Sequence, residues 1–163
     1  MIERLSAAAG CNVSRETFEK LESLAALIVE ANRSQNLVAA TSIPDLWERH
    51  ILDGAQLYGL ASGGGNWCDI GSGPGLPGLV IAILGGTPIT LIEPRRLRAD
   101  FLRLAIDQLG LTHVTESSEA SNGSLGNMTI SPPARSRAWA NCSRWRIIWL
   151  TTGRDGCFPR VNR

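Results

Sequence analysis

Asp69-Ile-Gly-Ser-Gly-Pro-Gly-Leu-Pro-Gly78 closes one apolar run, and Glu93 closes the next, 22 residues past Gly71. An acid leaving a strand, a glycine-rich turn, a helix and a second strand ending in an acid describe a cradle for a nucleoside cofactor. The glycines let backbone approach the ligand, and the second carboxylate suits the two hydroxyls of a ribose. The bare spacing Gly73-x-Gly75-x-x-Gly78 is also the dinucleotide pattern. Two features turn the reading away from NAD. Pro74 and Pro77 remove amide donors that a pyrophosphate-binding turn would use. Asp69 at the strand's mouth would repel phosphates. S-adenosylmethionine carries no phosphate and bears a sulfonium and an ammonium, so a carboxylate nearby is tolerated or useful. The plainer alternative is that the glycines serve only a tight turn.

The elements that position these residues follow from periodicity. Ser14 can cap a helix to about Asn32, with Phe18, Leu21, Leu24, Leu27 and Ile28 on one face. Ser42, Pro44 and Asp45 open a second helix, whose apolar side includes Leu46, Trp47, Ile51, Leu52 and Leu57. Residues 1–62 thus form a helical N-terminal cap. The period then changes. Residues 67–70 read as a buried strand, 76–84 as a buried helix and 88–92 as a second strand, with its proline near the start. A helix follows from about Leu97 to Leu109, closed by Gly110, and His113 begins a third strand. Strand alternating with helix implies a parallel sheet. Residues 63–115 are the glycine-loop half of such a domain.

The 163 residues suit one domain with a real core, and 44% hydrophobic content describes a soluble globular protein. No run approaches the roughly 18 apolar residues of a membrane span. The start, Met1-Ile-Glu-Arg, lacks the features of a secretory leader. Cysteines 11, 68, 142 and 157 lack metal spacing, so a reduced, cytoplasmic setting without metal is expected. Charge is lopsided: residues 1–115 carry 9 basic and 12 acidic side chains, residues 116–163 carry 7 and 3. A basic tail of this kind can bind nucleic acid.

The chain resembles the ribosomal RNA small subunit methyltransferase G family, also called glucose-inhibited division protein B, over roughly residues 15–115. The likeness rests on Asn36-Leu37, Glu48-Arg-His-Ile-Leu-Asp53, the Asp69–Gly78 loop, and Leu91-Ile-Glu-Pro-Arg-Arg96 ahead of Phe101-Leu-Arg103. It implies a Rossmann-like, S-adenosylmethionine-dependent methyltransferase fold and methyl transfer to N7 of a guanine in 16S ribosomal RNA. The small ribosomal subunit is then the partner. Carried over by motif, Gly71 and Leu76 contact the cofactor, with Gly73 and Glu93 close by. Guanine N7 has an exposed lone pair and no proton, so catalysis is positioning and charge placement, and no acid or base is nominated. His50 and Asp53 read better as ties between the cap and the sheet. Arg95, Arg96 and Arg98 either face RNA phosphate or form a solvated helix side.

After Thr115 the alternation dissolves, and the family's next strand, a valine-glutamate pair near the adenine, and a Thr-Ala-Arg type motif are missing. The expectation is a coding frame that slips near Thr115, leaving residues 116–163 out of register and the sheet truncated or scrambled after its third strand. One legal codon choice for residues 116–134, read two bases later, gives VVRGVERVTGEHDYITAR, which supplies all three missing features. Trp and Cys codons begin with T, and a T in the middle position encodes apolar residues. A tail strewn with Trp, Cys and Ser is what an amphipathic sequence becomes when misread. Residues 141–150 shift to KLLAMADHLA, a helix-like segment. Loss of several core elements weighs against a folding margin of about 5–15 kcal/mol, so the chain as written is expected to be poorly stable and inactive. A divergent basic tail is the alternative. Two other functional readings stay open: an NAD-binding oxidoreductase fragment, and a non-enzymatic RNA-binding remnant.

Overall fold

The computed structural model describes residues 1–60 and 66–118 in full and the backbone of 145–149. Three α-helices build the N-terminal cap: α1 (Ile2–Ala9), α2 (Arg15–Gln35) and α3 (Asp53–Leu60). The Ser14 hydroxyl accepts the Thr17 amide at 3.1 Å, as the N-cap reading requires. Asn36 ends α2 in the left-handed region, at φ 48°. The expected single second helix is instead three pieces. A 3-10 turn at Ala40–Ser42 is followed by a π-helical stretch, Trp47–Leu52, that runs straight into α3. The apolar face is kept despite the widened turn, with Leu46, Ile51, Leu52 and Leu57 all buried.

The sheet begins with β1 (Asn66–Ile70), then α4 (Gly78–Gly85), β2 (Ile89–Ile92), α5 (Arg96–Gln108) and β3 (Val114–Ser117). Helix α4 is apolar on every side because it is buried on every side, from Gly78 through Ile83. Helix α2 packs on α4 and α5, and α1 and α3 pack together, so the cap and the α/β unit share one core. β1, β2 and β3 pair in parallel, with Asp69 opposite Leu91 and Leu91 opposite Glu116. This is a Rossmann-like α/β fold with a helical N-terminal cap.

Past Thr115 the described structure goes further than the sequence pattern did. β3 runs on to Ser117, whose carbonyl accepts the Glu93 amide at 3.1 Å. Glu116 accepts from Arg103 Nε at 2.8 Å. A fourth strand, β4 (Trp145–Trp149), pairs in parallel with β1, giving the order β3-β2-β1-β4. The shifted reading placed a helix there. Four apolar residues in five, Trp145, Ile147, Ile148 and Trp149, give that backbone strand propensity. The segments 119–144 and 150–163, which hold most of the proposed misread tail, lie outside the described residues.

Candidate cofactor site at the carboxyl ends of β1 and β2

The parallel sheet brings the carboxyl ends of β1 and β2 side by side, where Ile70 and Ile92 are register partners. The chain therefore leaves both strands at one place, the usual crevice for ligands in open α/β sheets. The amides of Gly71 and Ser72 donate to the Ile92 carbonyl at 2.8 and 3.1 Å, stitching the loop to β2. Glu93 then folds back over the loop. Its Oε2 accepts the Gly73 amide at 2.8 Å and its Oε1 accepts the Arg95 amide at 2.9 Å. The side chain is almost wholly buried. A carboxylate has about four acceptor sites, so two remain for a ligand. Gly73 holds φ 55°, a conformation in which a side chain is strained.

Asp69 does something the sequence did not disclose. It is fully buried, and its Oδ2 accepts the Gly78 amide at 3.1 Å, the first residue of α4. The acid at the end of β1 is thus tied to the start of α4 across the loop. A Cβ at Gly78 would lie 2.5 Å from that same oxygen, so only glycine admits the approach. Oδ1 is buried without a hydrogen-bond partner among the described residues. Burial pushes the Asp69 carboxyl up to about 7, against the downward pull of the Gly78 amide, and the nearby Glu93 charge adds to the rise.

That shift has a stability consequence. The folded state holds the Asp69 proton more tightly than the unfolded chain, whose carboxyl titrates near 4. The stabilising contribution is fully present below pH 4 and is lost as pH rises through about 7. Asp69→Asn keeps an acceptor for Gly78 and does not titrate. Its stability relative to wild type is expected to rise by a few kcal/mol between pH 4 and pH 8. Urea unfolding of both proteins across that range checks this; parallel pH curves would refute it.

The loop's amides are nearly all engaged inside the protein. Gly75 donates to the Ser72 carbonyl at 2.7 Å and Leu79 to that of Gly75 at 2.6 Å. Gly71, Ser72, Gly73 and Gly78 are taken as described, and Pro74 and Pro77 have no amide hydrogen. Among the described residues, Leu76 is left as the loop's one unpartnered donor.

The arginines divide. Arg95 and Arg96 are exposed, Arg96 being 3.9 Å from Asp100. Arg98 is half-buried and turns to the loop: its Nη1 would lie 3.6 Å from a Cβ at Gly73. The structure therefore gathers Asp69, Gly71, Gly73, Leu76, Glu93 and Arg98 at one place. His50 and Asp53 send no side-chain hydrogen bond to the sheet, and His50 Nε2 is buried without a partner among the described residues. Burial lowers the His50 pKa and raises that of Asp53. No cluster of metal-ligating side chains occurs among the described residues, and no helix among them is long and apolar enough to cross a membrane.

The rRNA small subunit methyltransferase G family model matches residues 17–143. The chain belongs to that family. The Sphingopyxis alaskensis ribosomal RNA small subunit methyltransferase G is 44% identical over 140 residues, covering 85% of this chain and 58% of the relative. The Rhizobium meliloti protein of the same name is 47% identical over 105 residues, 62% of this chain and 49% of the relative. That of Bartonella tribocorum is 47% identical over 104 residues, 61% and 49%. The chain spans about half the length of the curated relatives it matches. The family match also runs past Thr115, beyond the motifs that carry the resemblance in the sequence.

Proposed function

We propose that this chain carries the cofactor half of an S-adenosylmethionine-dependent methyltransferase acting in the cytoplasm on N7 of a guanine in 16S ribosomal RNA. The observation that carries the reading is Glu93, buried at the end of β2 and bonded to Gly73 in the loop. A carboxylate so held presents its remaining acceptor sites to a ribose diol. Asp69, with a buried oxygen lacking a partner among the described residues, is a carboxyl that a sulfonium or ammonium beside it would draw into its ionised form. Gly71 and Gly73 let the ligand lie against backbone, and the Leu76 amide is the donor left for it. A methyl sulfonium held by Glu93, Gly71, Gly73 and Leu76 would supply an electrophilic methyl group to a guanine N7, whose lone pair carries no proton. No proton moves, so alignment dominates the barrier.

The amide arrangement favours this reading over NAD. A pyrophosphate needs several free backbone donors at the turn, and here one is free. Calorimetric titration of the chain with S-adenosylhomocysteine and with NADH tests it. Saturable binding of the first below about 1 mM, a free energy of roughly −4 kcal/mol or better, with no NADH binding, is expected; the reverse would sink the proposal.

The domain division is part of the same proposal: residues 1–62 cap the fold, 63–115 hold the cofactor loop, and the gene slips frame near codon 115. The described core, with Leu79, Ile81, Leu91 and Leu102 fully buried, backs the loop, and β4 from the tail pairs along β1.

A further inference from the structure

Arg98 differs from its neighbours in where its guanidinium lies. It stands in the first turn of α5, half-buried against the Gly73 turn, next to the residue whose amide Glu93 accepts. Its side chain makes no hydrogen bond or ion pair among the described residues. Arg103 on the same helix pairs with both Asp100 and Glu116, and Arg96 lies near Asp100. A half-buried arginine without a partner among the described residues is suited to an anion.

On the cofactor assignment above, on which this inference rests, the methyl donor would bring one carboxylate of its own, and a guanidinium that held it would cost cofactor affinity when removed. A second cation at the loop's lip raises the local charge until something negative arrives. The remaining reactant is RNA, which brings one phosphate per nucleotide. We propose that Arg98 takes an RNA phosphate at the lip of the cofactor loop, so that one guanidinium sets the target strand against the methyl donor. Arg95 and Arg96, exposed, add only general attraction. Arg98 is then a positioning residue: it touches RNA backbone and fixes its distance from the reacting methyl group without entering the chemistry.

The test uses the full chain, a guanine-containing single-stranded RNA oligonucleotide and S-adenosylhomocysteine. RNA affinity is followed by fluorescence anisotropy across salt concentrations, and cofactor affinity by calorimetry. Arg98→Gln is expected to reduce the slope of log affinity against log salt by about 0.7, the loss of one single-strand phosphate contact, and to leave the S-adenosylhomocysteine affinity within twofold. Arg98→Lys, which keeps the charge, should restore the slope, and Arg96→Gln should change it less. An unchanged slope in Arg98→Gln overturns the inference, as does a loss of cofactor affinity without a change in slope. If wild type binds no S-adenosylhomocysteine while Arg98→Gln still lowers the slope, the methyltransferase reading fails and the phosphate contact stands. If Arg98→Gln does not fold, the Arg98→Lys slope decides: a wild-type value upholds the phosphate contact, and a flattened one overturns it.

Discussion

Glu93→Ala is expected to weaken S-adenosylhomocysteine binding by about 10- to 100-fold. A hydrogen bond to a charged group contributes roughly 1.5–3 kcal/mol, and about 1.4 kcal/mol is tenfold in affinity. The substitution also orphans the buried Gly73 amide, at a cost of about 1–3 kcal/mol in stability. Part of that loss is offset, because the Glu93 charge raises the neighbouring Asp69 carboxyl, and its removal eases ionisation of Asp69. Glu93→Gln is no gentler, since its one acceptor oxygen can serve only one of Gly73 and Arg95 while its amide nitrogen faces a donor. Calorimetry and urea unfolding measure the two effects. Cofactor affinity within twofold of wild type in Glu93→Ala would remove the ribose role from this carboxylate.

Restoring the reading frame after codon 115 should have the larger effect on activity. The chain as written is expected to transfer no methyl group to 30S subunits, and the restored chain to transfer it measurably. The shifted reading returns an apolar strand, a valine-glutamate pair and a further strand; burying each large apolar side chain contributes about 1.5–3 kcal/mol, so several such residues raise stability by several kcal/mol. Resequencing the gene around that codon, with methyl incorporation and thermal unfolding of both products, settles the matter. Equal activity and equal unfolding would show that the tail is native as it stands.

The parallel sheet was legible because its strands are short apolar runs bounded by glycine and proline, and their ends lie within a few residues of the expected ones. Helix α5 was legible from its spacing, starting at Arg96 and ending one residue short of Leu109. Several elements escaped, β4 at Trp145–Trp149 among them. Helix α1 has eight residues, no side-chain cap and an alanine-rich stretch; packing on α3, with Leu5 and Ala9 buried, and the Arg4–Glu48 ion pair fix it. The π-helical turn at 47–52 leaves no trace in a pattern of apolar spacing, because widening one turn shifts hydrogen bonds and spares the buried face. At the site, Glu93 could be read because its task depends on its place after a strand. The role of Asp69 could not, since it depends on a carboxylate reaching nine residues along the chain to Gly78. Nor does spacing tell Arg98 from Arg95 and Arg96, because only the helix's phase against the loop separates them.

Because Gly71 through Leu79 keep almost every main-chain hydrogen for internal use, the turn discriminates by saturation. Adenosine triphosphate and the nicotinamide dinucleotides share the adenosine that the crevice would recognise, and they crowd any living cell. Their phosphates meet two prolines, a lone Leu76 donor and a pair of acids. Selectivity of this kind comes from withholding contacts from the wrong ligand. On the proposed function it would let a sulfonium nucleoside occupy its place amid phosphorylated look-alikes.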